Sequence, residues 1–235
     1  MRQIISVSIL LILFCSSCVS FYVPNPINVP MISEEGEAEV SLTTGLLGTG
    51  VQGAYGISED FSIALNSNFS YQGVKDQGNF RNGFFTELAI GYKFYDISED
   101  SFFDVYGGGG YGAVDASYSV SLYHSGTRQN IRGEYYRFFL QPSFNVKRKR
   151  LNFAMSMRGV FFNSTIVKHN TGNDLTSPFF HIEPALTLKA GNRLKFLTQI
   201  GASFNPIPTQ QIENYRPLLI TMGLSYRFKN NNQTK

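Results

Sequence analysis

Residues 61–71 read FSIALNSNFSY. Phe61, Ile63, Leu65, Phe69 and Tyr71 fall on odd positions, and Ser62, Ala64, Asn66, Asn68 and Ser70 on even ones, with Ser67 the single break in the first set. Successive side chains of a strand point to opposite faces, so a period of two predicts a strand with an apolar environment on one side and a polar one on the other.

The alternation returns along the chain. Phe84, Leu88, Ile90, Tyr92 and Phe94 stand opposite Glu87, Ala89, Gly91 and Lys93; Tyr136, Phe138, Leu140, Pro142, Phe144 and Val146 stand opposite Arg137, Phe139, Gln141, Ser143 and Asn145. Leu151, Phe153, Met155, Met157 and Phe161 oppose Asn152, Ala154, Ser156 and Arg158. Phe180, Ile182, Pro184, Leu186 and Leu188 oppose His181, Glu183, Ala185, Thr187 and Lys189, and the last such run sets Ile220, Met222, Leu224, Tyr226 and Phe228 against Thr221, Gly223, Ser225 and Arg227. No 3.6-residue pattern competes over a comparable length. Weaker segments near 38–45, 50–57, 102–123 and 194–204 bring the total to about ten strands; eight and twelve stay open, because the first two segments also read as one long strand. Within 102–123 the apolar parity changes between Val105 and Tyr111 and the later Val114, Tyr118, Val120 and Leu122, which predicts an extra residue, a bulge, near 107–112. The composition agrees: 21 Phe, 13 Tyr and 22 Gly favour strands and tight turns. A formal net charge of +3 gives no basis for nucleic-acid binding, which calls for a strong basic face.

Alternation does not say which face is inside. A soluble barrel of the lipocalin kind turns its apolar face inward, and a membrane barrel turns it to lipid. Short links at 58–60, 98–101, 147–150 and 190–192 take turns with longer polar ones at 73–82, 124–132, 164–177 and 205–217, and only 46–49 is shorter than this pattern predicts. Short periplasmic turns and longer external loops are the habit of bacterial outer-membrane barrels. The polar face also carries Glu39, Glu87, Lys93, Arg137, Arg158, Glu183, Lys195 and Arg227. A midplane Arg or Lys facing lipid costs about 2–4 kcal/mol, so these belong in a lumen, where opposite signs pair. The expectation is therefore an all-β, antiparallel, up-and-down transmembrane β-barrel over residues 37–229, with both termini periplasmic, a polar tail at 230–235 and a location in the bacterial outer membrane. Its lumen network would consist of those eight residues and His181. Outer-membrane lipids are the expected partners, and the surface ligand is unspecified.

The front end, MRQIISVSILLILFCSSCVS, has the basic start, short apolar middle and small-residue end of a secretory signal. About eleven apolar residues are too few for a membrane helix, which needs about twenty. Ser16, Ser17 and Cys18 resemble the lipobox of bacterial lipoproteins, in which a cysteine is acylated and becomes the mature N-terminus; Cys15 stands where such motifs usually carry Leu. The resemblance implies a lipoprotein signal at 1–17, lipid attachment at Cys18, and a periplasmic tether at 18–36. A disulfide between the two cysteines is disfavoured by their place in or across the removed segment.

Together, the barrel pattern, the final Tyr226-Arg227-Phe228 and the leader YVPNPINVPMISEEGEAEV resemble outer-membrane β-barrel proteins, several of them lipoproteins, of Bacteroidota-type bacteria. The resemblance implies recognition of the terminal aromatic by the barrel-assembly machinery, although residues 229–235 extend past it.

Chemistry-bearing motifs are few. Gly107 to Gly110 lack the Lys-Ser/Thr and helix of a phosphate loop. His124, His169 and His181 have no metal-ligand spacing, so neither a metal nor a cofactor is expected. His181 beside Glu183 is a candidate proton-sensitive pair with Arg158 or Arg137, or one member of a structural network. Tyr123-His124-Ser125-Gly126 departs from the outer-membrane lipid A deacylase pattern, which separates His from Ser by one residue. The basic run Lys147 to Arg150 reads either as a headgroup-attracting turn or as a solvated hairpin tip. The expected role is non-enzymatic: structural, surface-binding or a narrow, porin-like pore. Two alternatives stand beside it, a soluble lipid-anchored barrel holding an apolar ligand and an outer-membrane lipid-modifying enzyme.

Overall fold

The computed structural model describes residues 24–45, 48–73, 80–120, 127–168, 174–207 and 218–228. Ten strands follow one another: β1 (Ala38–Gly45), β2 (Gly48–Gly56), β3 (Phe61–Gly73), β4 (Phe80–Ser98), β5 (Ser101–Val120), β6 (Thr127–Lys147), β7 (Leu151–Lys168), β8 (Asp174–Gly191), β9 (Leu194–Ala202) and β10 (Leu218–Phe228). Each pairs antiparallel with its neighbours in sequence, and β1 closes on β10 with Ala38 opposite Phe228 and Gly45 opposite Thr221. Closure pairs the first strand with the last, as a sheet in lipid requires. The first two segments are a hairpin, not one strand: Gly45 pairs with Gly48, and Gly48 has a φ of 137° where an added Cβ would lie 2.1 Å from the Phe69 carbonyl oxygen.

The apolar face points outward. Leu88 is 58% exposed while Glu87 beside it is 4% exposed, and Leu65 (53%) and Asn66 (1%) repeat the contrast one strand away. This rules out the soluble reading, which needed the apolar face turned in around a ligand. Outside, aliphatic residues are bracketed by two levels of cross-strand aromatic pairs. Toward one rim Phe61 meets Tyr92 at 5.0 Å and Phe103 meets Phe144 at 5.4 Å; toward the other Phe69 meets Phe84 and Tyr111 meets Tyr136, both at 5.2 Å. Phe61 and Phe69 are eight residues apart on one tilted strand, roughly 20 Å in height, close to the ~25 Å apolar band between the aromatic girdles of outer-membrane barrels. Leu88→Arg, at the middle of this band, is expected to destabilise the barrel by about 2–4 kcal/mol in urea titrations in lipid, whereas Tyr71→Arg, beyond the girdle, should cost less than about 1 kcal/mol.

Three details depart from expectation. The β5 register runs unbroken from Ser101 to Val120 against β6; the irregularities lie in β4, at Phe94 between Lys93 and Tyr95 and at Ile97 between Asp96 and Ser98. No bulge forms near 107–112, because Val114 and Ala116 keep the inward parity of Phe102, Asp104 and Tyr106: the lumen itself turns apolar toward that end. Of the long polar links, 127–132, 164–168 and 174–177 are strand, since ladder pairing continues past the apolar band, where alternation is no longer demanded. Prolines mark the third. Pairing of β6 with β7 skips Gln141 and Pro142, and pairing of β8 with β9 ends at Ala185, just after Pro184, resuming only as an Ile182 to Phe204 bridge. Proline has no N–H to give. Pro142, Met157 and Pro184 line an apolar groove of about 700 Å³ on the outer wall.

Inside, glycines of β5 make room. A Cβ on Gly110 would lie 2.4 Å from the Thr86 carbonyl oxygen and 2.6 Å from the Phe85 ring, and one on Gly112 2.3 Å from the Tyr135 ring. Gly110→Val should therefore cost about 1–3 kcal/mol by overpacking, read as a lower urea midpoint.

Candidate functional site

The lumen is occupied by the chain's own N-terminal segment. Asn25, Ile27, Asn28, Val29, Met31 and Ile32 are all under 9% exposed. Residues 24–32 therefore run inside the barrel and 33–36 turn at its rim, so most of the described part of the expected 18–36 tether lies within the lumen. The sequence prepares it for this place: Pro24, Pro26 and Pro30 stiffen the segment and remove three N–H donors that a narrow lumen would otherwise have to satisfy.

Five successive carbonyls of this thread each accept from a barrel side chain. The Pro26 oxygen takes Gln52 Nε2 at 3.2 Å and Asn66 Nδ2 at 3.1 Å; that of Ile27 takes Gln199 Nε2 at 2.9 Å, whose Oε1 accepts from the Ile27 N–H at 2.8 Å. The Asn28 oxygen takes Gln141 Nε2 at 3.0 Å, Val29 takes Lys189 Nζ at 2.6 Å, and Pro30 takes Arg227 Nη2 at 3.3 Å. Asn28 Nδ2 in turn donates to the Gly53 and Leu65 carbonyls. These partners come from β2, β3, β6, β8, β9 and β10, so the thread is gripped around the lumen, while Ile27, Val29 and Met31 pack on Phe102, Ala154 and Ala185. The hollow beside Pro24 and Asn25 and another beside Ile32 and Asp104 are each about 10 Å³, the size of one water at most.

Two ionic clusters flank the thread. At mid-height Glu87 accepts from Arg137 Nε at 3.1 Å, Arg158 Nη1 at 3.2 Å and Asn66 Nδ2 at 3.0 Å. Arg158 also donates through Nε and Nη2 to Gln141 Oε1 at 2.9 and 2.6 Å, which ties the cluster to the thread. Arg137 lies over the Phe85 ring at 3.9 Å and Arg158 over Phe139 at 4.2 Å. A desolvated guanidinium gains up to about 2 kcal/mol from such a ring face. Near the rim where β1 begins, Glu39 pairs with Lys189 and with Arg227 Nη2 at 2.8 Å, and Glu37 pairs with Lys147 at 2.7 Å and Arg227 Nε at 3.2 Å. Above the middle cluster Phe85, Tyr135, Phe162 and Phe179 form a belt with successive ring centroids 5.7, 4.8 and 5.9 Å apart.

Of the residues expected in one lumen network, Glu87, Arg137 and Arg158 meet in the middle, and Glu39 and Arg227 meet near the rim, where Lys195 is also buried. Lys93 stands apart, 3.4 Å from exposed Asp96. His181 and Glu183 are buried together through Ser203: His181 Nδ1 lies 3.0 Å from Ser203 Oγ, which donates to Glu183 Oε1 at 3.3 Å. A hydrolytic triad needs the acid on the histidine and the histidine on the serine. Here the serine proton goes to the acid and all three groups are at most 1% exposed, an arrangement that holds β8 to the β9 end rather than presenting a nucleophile. Glu37, Lys147, Lys189, Gln141 and Gln199 carry more of the lumen than sequence reasoning assigned them. Lys147 leaves the basic run to bind Glu37 and Ser33, while Arg148, Lys149 and Arg150 stay in solvent. Cys18, His124, His169 and the 230–235 tail lie outside the described residues. Among the described residues no three of His, Cys, Asp and Glu gather as metal ligands.

No family model and no curated protein matches the chain. Among solved structures it is similar to the translocator domain of the autotransporter NalP from Neisseria meningitidis, at 13% identity over 82% of this chain and 86% of that one, with a TM-score of 0.45. It is similar also to the N-terminal β-barrel domain of Pseudomonas aeruginosa OprF (10% identity, 83% and 98% covered, TM-score 0.34) and to Ail, the attachment invasion locus protein of Yersinia pestis (12%, 83% and 99%, 0.34).

Proposed function

We propose that this chain is a non-enzymatic, closed barrel of the bacterial outer membrane whose work is done on its external face, as a structural or surface-binding protein. The supporting observation is the combination of an outward apolar band with a lumen filled by residues 24–36 and two ionic clusters. Outward apolar residues between aromatic girdles call for lipid, and the alternation of short and long links puts the 58–60 and 98–101 turns in the periplasm. The segment held across the lumen among the described residues favours neither a porin path nor a ligand cavity, so the connections at the opposite rim are left to make contacts. The lipid-modifying alternative rests on residues 123–126, outside the described residues.

Membrane fractionation and planar-bilayer recording test the reading together. The purified chain should partition with the outer membrane, resist extraction by carbonate and give no steady conductance. Release into the soluble fraction would refute the membrane barrel, and ohmic conductance of the intact chain would refute the closed one.

A further inference from the structure

We infer that the barrel carries its own N-terminal segment across the membrane, so that the chain preceding Pro24 emerges at the external mouth, on the face of the long connections. The naming of that mouth as external rests on the outer-membrane reading above; the direction of the thread does not. Pro24 and Asn25 lie against Gly45, Gly48 and Ser70, at the rim where β1 turns into β2. At the other rim the Gly36 N–H donates to the Gly56 carbonyl at 2.9 Å, where β2 leaves for β3, and a φ of 73° at Gly36 turns the chain back into β1. Residues 24–36 thus run parallel to β2 through the full height of that side of the wall.

The direction is held by chemistry as well as by connectivity. Neutral amides of Gln52, Asn66, Gln141 and Gln199 take carbonyls 26–28, and the cations Lys189 and Arg227 take carbonyls 29 and 30 nearer the periplasmic rim. The two acids of that rim, Glu37 and Glu39, bind the same cations, so the start of β1 and the deep half of the thread are fastened as one unit.

An epitope inserted between Ser20 and Phe21 tests this in the full-length protein, with the same epitope after Ile207 and after Lys149 in two companion proteins. Antibody should bind intact cells carrying the Ser20 and Ile207 insertions as well as it binds permeabilised cells, and should reach the Lys149 insertion only after permeabilisation. A Ser20 epitope reached only after permeabilisation, with the companions behaving as stated, overturns the threading direction and leaves the membrane reading in place. Companions that exchange behaviour, or that are both hidden on intact cells though present in denatured lysate, overturn the orientation and this inference with it. An epitope missing from the mature protein on denaturing gels shows that the chain ahead of Pro24 is removed, and refutes its display.

Discussion

Deleting residues 24–33 is expected to turn a silent barrel into a conducting one. The segment fills the lumen between β2, β3, β6, β8, β9 and β10, and its removal strips partners from Gln52, Asn66, Gln141, Gln199, Lys189 and Arg227. Buried polar groups without partners cost about 1–3 kcal/mol each, more when charged, so water enters to satisfy them and the vacated track becomes a wet path. Sparing Glu37 and Glu39 keeps the anions of the rim cluster, so that the wall can still close β1 on β10. Planar-bilayer recording of the deleted protein, shown to be folded by its heat-modifiable migration on gels, should give steady openings absent from the full chain. A folded deletion protein as silent as its parent would mean that the side chains alone close the lumen.

The second large effect is at Glu87. It is the shared anion of Arg137 and Arg158, whose side chains are 0% and 1% exposed. Replacing one partner of a buried ion pair costs about 3–5 kcal/mol, because the remaining charge stays desolvated. Glu87→Leu takes the shared carboxylate from two buried guanidiniums, while Gln141 and the faces of Phe85 and Phe139 stay in place. We expect a loss of about 3–5 kcal/mol in urea unfolding in lipid, with Glu87→Gln intermediate because its amide oxygen still accepts. Glu59→Ala, on an exposed turn, should change stability by no more than about 0.5 kcal/mol. Equal, small effects at both positions would show that the middle cluster is hydrated and not a buried ionic core.

The wall was legible in the linear order of residues because a strand has a period of two and lipid tolerates few charges. FSIALNSNFSY already separates the outer face of β3 from the lumen face, and Arg137, Arg158 and Arg227 can only point inward. The β4 bulges were not legible. Val114, read with Tyr118, Val120 and Leu122, suggests a change of parity if a lumen is polar throughout, and only the aromatic belt above Glu87 shows that apolar side chains also face inward there. Ion partners were equally hidden: Glu39 lies 150 residues from Lys189 and 188 from Arg227, and their meeting depends on strand order, stagger and closure.

Residues 24–36 mark the boundary between the two kinds of information. Pro24, Pro26 and Pro30 say that the segment is extended and is not a ladder strand, which a periplasmic tether and a luminal thread satisfy equally well. The choice between them is made by the closed wall, where Gln52, Asn66, Gln141, Gln199, Lys189 and Arg227 converge from six strands on consecutive carbonyls. By itself the sequence determined the strands, their faces and the sign of the residues within; the tertiary structure alone decided what fills the barrel, because those hydrogen bonds exist only after distant strands have closed around it.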